Sequence, residues 1–343
     1  MTSTRSAFGA EFAVPAGYLN SPSIGIPPAH VAEAVAETVA RWSRGETKPP
    51  DFDEAVAVAR AAFGQLVGVP GEWVASGVSV AQLIANVASG LKDDAKVLVA
   101  KGDFTSVTFP FAAQAHRGVT VTEVDLAELP GKVDGYDLVA VSVVQSADGA
   151  IVDLEKLREA AEATGASVLL DATQALGWLP LDLGWADWVV GAGYKFLLSP
   201  RGSAWLSVHP RVHERTLPVN ANWYAGEDPW QSVYGLPLRL AGDARAFDLS
   251  PVWFAQVGAA VALPYLASLD LAAVRAHNVG LADTLLTKLG LPERGTAILA
   301  LDGDAARFAE AGVVASVRAG KVRVGFHLYN DLGDVERVLH AIG

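Results

Sequence analysis

One lysine stands out because it lies between two apolar runs of the chain. Lys195 follows the apolar stretch that begins at Trp188, and it precedes Phe196-Leu-Leu198. An unpaired ammonium group is costly to bury, so a lysine in such a place is normally paired, neutral or used covalently. A second apolar run, Ser167-Val-Leu-Leu170, ends in Asp171. A lysine and a carboxylate that each end a hydrophobic strand suggest one shared site.

The two side chains together support one kind of cofactor chemistry. A lysine whose pKa is lowered by burial can form a Schiff base with an aldehyde. A carboxylate in an apolar sheet can pair with a protonated ring nitrogen and keep a pyridine ring electron-poor. We therefore expect pyridoxal phosphate, with its ring between Asp171 and Lys195. An aromatic residue such as Phe104 would cover one face of that ring.

A turn rich in glycine and serine is the candidate site for the phosphate. Ser76-Gly-Val-Ser79 lies between a short apolar run and a helical pattern that continues to about Gly90. Backbone amides at a helix N-terminus bind phosphate well, and serine hydroxyls beside them add donors. Many such turns contain Gly and Ser only for capping, so this segment alone leaves both interpretations open.

Each candidate also has a purely structural interpretation. Lys195 would be a lysine at a strand end whose amine reaches solvent, Asp171 a helix cap, and Phe104 a core residue; only their joint arrangement favours a cofactor. The seven histidines show no close metal spacing, so no metal site is expected. Gly191-Ala-Gly193 lacks the third glycine of a dinucleotide-binding motif, and nucleophile-elbow and Walker motifs are absent.

Composition restricts the class of protein. With 343 residues, of which 51% are hydrophobic and 19% charged, the chain is long enough for a large core and favours an oligomer. A net charge of -12 argues against nucleic-acid binding. The chain contains no cysteine, which excludes disulfides, thiolate metal sites and thiol nucleophiles.

No targeting or membrane segment is recognised in the sequence. The first 18 residues have no continuous apolar core of signal-peptide length, so we expect a cytoplasmic protein. The apolar stretch 255–274 contains Pro264 and Asp270, which favours a buried interface helix over a membrane span.

Strand and helix patterns alternate through the middle of the chain, including a helix expected around Ser106 to Arg117, and this alternation predicts an α/β fold with a mostly parallel sheet covered by helices. The run Gly202–Val208 follows Lys195 too closely for a helical crossover, so we expect an antiparallel strand there. Ligands of such sheets bind at the carboxyl ends of the strands, where Phe104, Gln145, Asp171 and Lys195 should gather.

The two ends of the chain are predicted to differ from this central part. Residues 1–28 carry turn signals and are expected to be irregular. Helices should follow from about Pro28 to Arg44 and from an N-cap at Asp51 to Val67. The region 217–248 is interpreted as a long ordered loop, functional or interfacial, and the C-terminal part as a small α+β lobe.

Several short motifs surround the candidate lysine and carboxylate, and others lie near the two ends of the chain: Asp171-Ala-Thr-Gln-Ala-Leu-Gly177, Ala186-Asp187, Gly193-Tyr-Lys195, Pro200-Arg-Gly202, Tyr18-Leu-Asn20 and Val322-Arg-Val-Gly-Phe-His-Leu-Tyr-Asn330. With them the chain resembles the class V aminotransferase family of pyridoxal-phosphate enzymes, which also contains kynureninases, cysteine desulfurases and amino-acid epimerases. The resemblance implies a fold-type I homodimer with active sites at the subunit interface. The large domain would have a seven-stranded sheet over residues 46–250, with a small domain over 251–343 and an N-terminal segment, 1–45, packed on it.

The resemblance also implies a role for individual residues. Lys195 would be the Schiff-base lysine, Asp171 the partner of the pyridine nitrogen, and Gln174 would bond the cofactor's phenolic oxygen. Phe104 would stack on the cofactor ring, and Val78 and Ser79 would bind its phosphate. Tyr194, the residue before the lysine, would contact the cofactor, and the loop residues Trp223 and Ser250 would reach the phosphate of the partner subunit.

Arg323 matches the arginine that holds the substrate's α-carboxylate. Its bidentate fork suits that task, although an arginine in a terminal strand could equally form a surface ion pair.

The subfamily is less clearly indicated. Persulfide-forming cysteine desulfurases need a catalytic cysteine, which this chain lacks. Phe104 and Asn222–Asp228 look more like kynureninase, but Gly226-Glu227 stands where that enzyme has a glycine-histidine pair. Gly325 replaces the family's usual serine after the carboxylate arginine. We expect an aminotransferase in which Lys195 moves the α-proton. The alternative is a β-lyase or kynureninase-like hydrolase, and an epimerase or a non-catalytic relative is less favoured.

Overall fold

The computed structural model describes residues 2–343. The strands, in chain order, are β1 (Thr2–Ala7), β2 (Ala10–Pro15), β3 (Val74–Gly77), β4 (Lys96–Ala100), β5 (Thr120–Val124), β6 (Leu138–Ser142), β7 (Ser167–Asp171), β8 (Trp188–Ala192), β9 (Ala204–Val208), β10 (Ile298–Leu301), β11 (Ser316–Arg318) and β12 (Lys321–Gly325). The α-helices are α1 (Ala29–Ser43), α2 (Asp53–Val67), α3 (Val80–Gly90), α4 (Thr105–Ala112), α5 (Leu154–Thr164), α6 (Trp253–Ala267), α7 (Leu271–Lys288), α8 (Ala305–Glu310) and α9 (Leu332–Ile342).

A seven-stranded sheet forms the centre of the molecule, in the order β3-β9-β8-β7-β6-β4-β5. The strands from β8 to β5 run parallel to one another, whereas β9 pairs antiparallel with both β8 and β3. The predicted mostly parallel sheet and its antiparallel β9 strand are therefore confirmed. The turn that carries Lys195 joins β8 to β9, and it is too short to hold a crossover helix.

Helices cover both faces of this sheet. Phe63 of α2 and Leu263 of α6 belong to one buried cluster, and Leu83 of α3 belongs to another. Leu169 and Leu170 are neighbours in β7, yet they lie in opposite clusters because successive strand side chains point to opposite faces. Burial on both faces explains why these strands read as unbroken apolar runs.

The irregular N-terminus predicted from the sequence is wrong, because β1 and β2 form an antiparallel hairpin. Ala10, Phe12 and Val14 are buried and alternate with exposed residues, as expected for a half-buried strand. The turn between the strands has φ of 48° at Phe8 and 76° at Gly9. A hairpin turn with two positive φ values usually contains Asn or Asp with Gly, so a phenylalanine there gives no turn signal.

Two predicted helix ends are also corrected. The chain forms a 3-10 turn at Pro49–Phe52 and the α-helix α2 begins only at Asp53, so Asp51 is not its N-cap. The Asp51 carboxylate instead accepts a hydrogen bond from the Lys48 backbone amide, 2.8 Å away. The α-helix α4 ends at Ala112, short of the predicted Arg117, and contains Pro110, which removes an amide donor from the helix.

A second, three-stranded sheet has the order β10-β12-β11 with both pairings antiparallel. The N-terminal segment joins it, since Tyr18 bridges Val314 and Asn20 bridges Gly325 in parallel. Leu19 is buried in the same apolar cluster as the side chains of this sheet and of α7 and α9. The segment between β2 and α1 is therefore attached to the small sheet.

No single helix within residues 2–343 is long and apolar enough to cross a membrane. The pair α6 and α7 passes the length and composition test together, but the two helices meet at 91°.

Candidate active site

Lys195 lies in a tight turn directly after β8. The turn closes through the Ser199 amide, which donates to the Gly193 carbonyl at 2.9 Å. A Cβ at Gly193 would lie 2.6 Å from the Ser203 hydroxyl, so only glycine fits there. The N-terminal segment crosses the same turn: the Gly25 amide donates to the Tyr194 carbonyl at 2.9 Å. The lysine is therefore held from two sides by backbone contacts.

The Lys195 side chain is only 7% exposed. Among residues 2–343 it forms no ion pair, so its amine is neither solvated nor neutralised by a bonded carboxylate. Burial lowers the pKa of Lys195 to about 8, against an opposing effect of Asp171 and with help from the charges of Arg323 and Arg318. A lowered pKa gives more neutral amine at physiological pH, which is the form that reacts with an aldehyde.

Asp171 ends β7, the strand next to β8 in the sheet. The Thr173 amide donates to its Oδ1 at 2.9 Å, and the Thr173 hydroxyl in turn accepts from the Ala192 amide at 3.1 Å. Burial raises the pKa of Asp171 to about 6, although Thr173 and the charge of Lys195 oppose the rise. The carboxylate is thus fixed in place on a neighbouring strand and coupled electrostatically to the lysine.

Phe104 lies beside the lysine, and 42% of its surface is exposed, so it is not a core residue. The Lys195 Nζ is 5.1 Å from the centroid of its ring and 5.7 Å from that of Tyr194. The Asp103 carboxylate accepts from the Phe104 amide at 2.7 Å and orients the start of α4. Asp103 itself accepts from Ser142 and Gln145 at the end of β6. The predicted gathering of aromatic, amine and carboxylate groups at the strand ends is present in the structure.

Gln174 and Arg323 meet at one serine. The Gln174 Nε2 donates to the Ser146 hydroxyl at 3.1 Å and to the Pro22 carbonyl at 3.0 Å. Arg323 donates to the carbonyl and the hydroxyl of Ser146 at 2.6 and 2.9 Å, and to the Ser23 hydroxyl at 2.7 Å. Arg323 comes from β12, so the small sheet supplies one wall of the site and the large sheet the other.

Arg323 is a buried cation without a counterion. It is 1% exposed, and within the described chain neither a carboxylate nor any partner for its Nε is present. Burial, together with the charge of Arg318, lowers its pKa to about 10. The surface ion pair considered from the sequence is therefore not formed. An uncompensated buried guanidinium suits a carboxylate ligand, which it binds through charge-assisted hydrogen bonds.

The glycine- and serine-rich turn joins β3 to α3. Ser79 is the N-cap of α3, and its hydroxyl accepts from the Gln82 amide at 3.4 Å. The side chain of Gln82 folds over the turn, where its Oε1 accepts from the Val78 amide at 3.3 Å. Ser76 does not serve this turn, because its buried hydroxyl accepts from Gln256 at 3.0 Å. Of the two candidate hydroxyls, only that of Ser79 is exposed at the helix N-terminus.

Trp223 and Ser250 lie near this turn through a shared neighbour rather than beside the lysine. The Asp248 carbonyl accepts from the Asn222 side chain at 2.8 Å, and its carboxylate accepts from the Ser76 amide at 2.7 Å. Ser250 follows two residues later and is exposed. The ring of Trp223 packs against Tyr224 and Trp230. Both residues are thus at the end of β3, and their contact with a cofactor stays a prediction.

Several residues of the site were not found from the sequence. Ser146 and Ser23 orient Arg323, Thr173 fixes Asp171, and Gln82 covers the phosphate turn. Only Ser146 had a usable signal, since it follows Gln145 directly after a buried strand. Thr173 and Gln82 lie two and four residues from their partners, whereas Ser23 contacts Arg323 from 300 residues away.

The comparison with known families identifies the family of this chain. Residues 43–300 match the family model of class V aminotransferases. The chain belongs to the class V aminotransferase family. Its cofactor is accordingly pyridoxal phosphate.

Curated relatives of different activity are similar to this chain. An uncharacterized aminotransferase of Bacillus subtilis is 27% identical over 235 residues, which cover 65% of this chain and 62% of the relative. The kynureninase of Deinococcus radiodurans is 26% identical, over 97% of this chain and 91% of its own length. The isopenicillin N epimerase of Streptomyces clavuligerus is 28% identical over 48% of this chain and 46% of that enzyme.

Solved structures share the fold at lower identity. An apo cysteine desulfurase from Thermococcus onnurineus superposes with a TM-score of 0.81 at 20% identity, covering 94% of this chain and 93% of its own. A cystine C–S lyase bound to cysteine persulfide gives a TM-score of 0.82 at 16% identity, covering 95% and 97%. These likenesses confirm a pyridoxal-phosphate enzyme fold of type I. They do not indicate which reaction this chain catalyses. This chain has no cysteine that could form a persulfide.

The residues present fit the cofactor. The Oε1 of Gln174 and the Nε2 of Gln82 are buried side-chain atoms without a partner in residues 2–343, and Lys195 is a buried amine. Buried polar atoms are normally satisfied, so orphaned ones at the phosphate turn and beside Asp171 indicate an absent polar ligand. Lys195 and Asp171 would hold the cofactor's aldehyde and ring nitrogen, Gln174 its phenolic oxygen, and the turn at Val78 and Ser79 its phosphate.

Proposed function

We propose that this chain is a cytoplasmic homodimeric enzyme that transaminates an α-amino acid. The main support is the presence in one site of two buried groups. Lys195 is a buried amine with a lowered pKa, and Arg323 is a buried guanidinium without a counterion in the described residues. One provides a base and the other a place for the substrate's carboxylate. An α-amino acid bears its amine and its carboxylate on one carbon, so a substrate whose carboxylate is bound by Arg323 would present that carbon to Lys195.

The residues divide the work of this reaction. When bound, pyridoxal phosphate supplies an aldehyde and an electron-withdrawing ring. Asp171 keeps a negative charge beside a protonated ring nitrogen. Arg323 would orient the substrate through its carboxylate, and Lys195 Nζ would take the proton from the α-carbon and deliver it to the carbon that the cofactor's aldehyde supplies. Of the two aromatic neighbours of that amine, Phe104 has no group that donates or accepts a proton, and burial raises the pKa of Tyr194, which keeps its hydroxyl protonated. Both proton transfers are therefore assigned to Lys195.

A β-lyase or kynureninase-like hydrolase is the second candidate. The similarity to kynureninase over 97% of this chain favours it. Such an enzyme uses Lys195 for the same first proton transfer and then breaks a bond in the substrate side chain.

The proposed dimer is supported by an exposed apolar loop. Tyr234 and Leu236 are 88% and 90% exposed, and Leu238 is 62% exposed. Contiguous exposed apolar side chains of this kind mark interaction surfaces. Light scattering of the purified protein should give twice the chain mass of 35.8 kDa, and a monomer at micromolar concentration would contradict this part of the proposal.

The test of the function is incubation of the purified protein with pyridoxal phosphate and then with amino acids. We expect a visible absorbance band and, after borohydride reduction, a labelled peptide that contains Lys195. An aminotransferase converts the bound cofactor to its pyridoxamine form and releases a keto acid. A lyase releases ammonia or a side-chain fragment and regains its first spectrum.

The variant Lys195→Ala should lose turnover and the labelled peptide. Lys321→Ala is the matched control, because Lys321 is an exposed lysine paired with Asp302. Full activity of Lys195→Ala, or the absence of any band in the unmodified protein, would refute the proposed function.

A further inference from the structure

A second arginine lies next to the carboxylate-binding one. In the antiparallel pair β11 and β12, Ser316 is opposite Arg323, and Arg318 is opposite Lys321. Residues that stand opposite each other share a sheet face, and positions two apart on a strand also do. Arg318 is therefore the diagonal neighbour of Arg323 on the face that meets the site.

The two arginines reach the same hydroxyl. Arg323 donates to Ser23 Oγ at 2.7 Å, and Arg318 directs its own Nη2 to that oxygen at 3.5 Å. The other hydrogen bond of Arg318 goes to the carbonyl of Val317, its neighbour in the chain. Neither arginine forms an ion pair with any residue from 4 to 343, where side chains are described. Two guanidinium groups thus share one neutral acceptor.

The region around Arg318 and Arg323 carries more positive charge than one bound carboxylate would neutralise. Arg318 and Arg323 are cations without a bonded carboxylate in residues 4–343, and Asp171 is the acid coupled to Lys195. Burial is the main cause of the lowered pKa of Lys195 and of Arg323, and the positive charge of Arg318 lowers both pKa values further. In a chain with a net charge of -12, an unneutralised cluster of cations is a place for an anionic ligand.

We propose that Arg318 determines specificity by binding a second carboxylate, at the end of the substrate's side chain, so that the enzyme prefers acidic amino acids or their keto acids. The inference rests on the proposed function, because it assigns the α-carboxylate to Arg323. Arg323 is buried and its fork is fixed by Ser146 and Ser23. Arg318 is exposed at the edge of the same face, where a longer side chain would extend.

The test compares each acidic amino acid with its uncharged amide. The ratio of kcat/KM for glutamate over glutamine, and for aspartate over asparagine, is measured in the unmodified holoenzyme and in Arg318→Gln. We expect the ratio for one acidic substrate to favour the acid and to fall about three- to fivefold in the variant, a moderate effect because an exposed charge is screened by solvent. Arg318→Lys, which keeps the charge but loses the fork, should give an intermediate ratio.

Binding of unreactive acids gives an independent readout. Calorimetry with glutarate and with butyrate should show that Arg318→Gln weakens the dicarboxylate more than the monocarboxylate. Arg41→Gln, which removes an exposed arginine from α1, is the control and should leave both ratios as in the unmodified protein.

Three outcomes would overturn the inference: an unmodified enzyme that prefers amides, a ratio that Arg318→Gln leaves unchanged, or equal weakening of glutarate and butyrate. The last would place Arg318 on the α-carboxylate together with Arg323. Failure of the proposed function looks different, because then no amino acid, acidic or neutral, changes the spectrum of the bound cofactor.

Discussion

Two buried arginines in this chain have opposite surroundings. Arg60, on α2, forms a bidentate pair with Asp248, with distances of 3.0 and 2.6 Å. Burial alone would lower the pKa of Arg60, yet the charge and hydrogen bonds of Asp248 raise it overall. Arg323 is buried as well, but it meets only a carbonyl and hydroxyls, and its pKa is lowered.

The difference separates a structural charge from a functional one. The pair of Arg60 and Asp248 is complete, and it ties α2 and the end of β3 to the loop before Ser250. Arg323, in contrast, has no carboxylate from the described residues as a counterion. A buried charge that the protein leaves unneutralised is destabilising unless a ligand binds it. The Arg323 pocket is therefore understood as a binding site, and the Arg60 pair as a brace beneath the phosphate turn.

The largest effect is expected when the complete pair is broken. Arg60→Ala leaves the Asp248 carboxylate buried and unpaired, which should lower the free energy of unfolding by about 3–5 kcal/mol. Urea unfolding of the cofactor-free protein measures this change. Arg44→Ala, which breaks the exposed pair with Glu46, is the control and should leave stability nearly unchanged, because solvent screens an exposed pair. Equal effects of the two variants would remove the distinction drawn between the arginines.

Arg323→Met should behave in the opposite way. Removal of a buried charge without a counterion should leave the free energy of unfolding nearly unchanged or raise it, because no partner carboxylate is left unpaired. Binding of the amino-acid substrate should weaken by roughly 2–4 kcal/mol, which appears in kcat/KM. Urea unfolding and steady-state kinetics of the same preparation test both halves. A destabilisation as large as that of Arg60→Ala would mean that Arg323 is structural.

The sequence predicted the centre of this site better than its edges. Lys195 and Asp171 were recognisable because each ends an apolar strand, and buried strands give an unbroken hydrophobic pattern. The antiparallel β9 followed from the short distance between Lys195 and the next strand. These features depend on chain spacing and burial alone.

What could not be predicted depends on contacts between distant segments. Ser23 and Ser146 contact Arg323 from positions 300 and 177 residues away in the chain, and no local pattern predicts either contact. The hairpin of β1 and β2 was missed because Phe8 adopts a positive φ that its residue type rarely takes. The pairing of Arg318 with Lys321 follows from strand register, which a three-residue strand does not reveal.

The smallest expected effect links the Arg323 pocket to the lysine. Neutral Lys195 is the form that reacts with the cofactor's aldehyde, so the rate at which the cofactor-free protein gains its visible band should rise with pH. Because burial lowers the lysine pKa to about 8, the rise should have its midpoint near pH 8 rather than at 10.5, the value of an ordinary lysine. Arg323→Gln removes a charge that disfavours the ammonium form, so its midpoint should lie higher. Asp171→Asn removes a charge that favours that form, so its midpoint should lie lower.

Stopped-flow absorbance between pH 6 and pH 10 measures all three proteins, with Arg60→Lys as a control that keeps its charge. A midpoint near 10.5 in the unmodified protein would show that the amine is solvated, and an unmoved midpoint in Arg323→Gln would show that the two walls of the site are electrostatically independent.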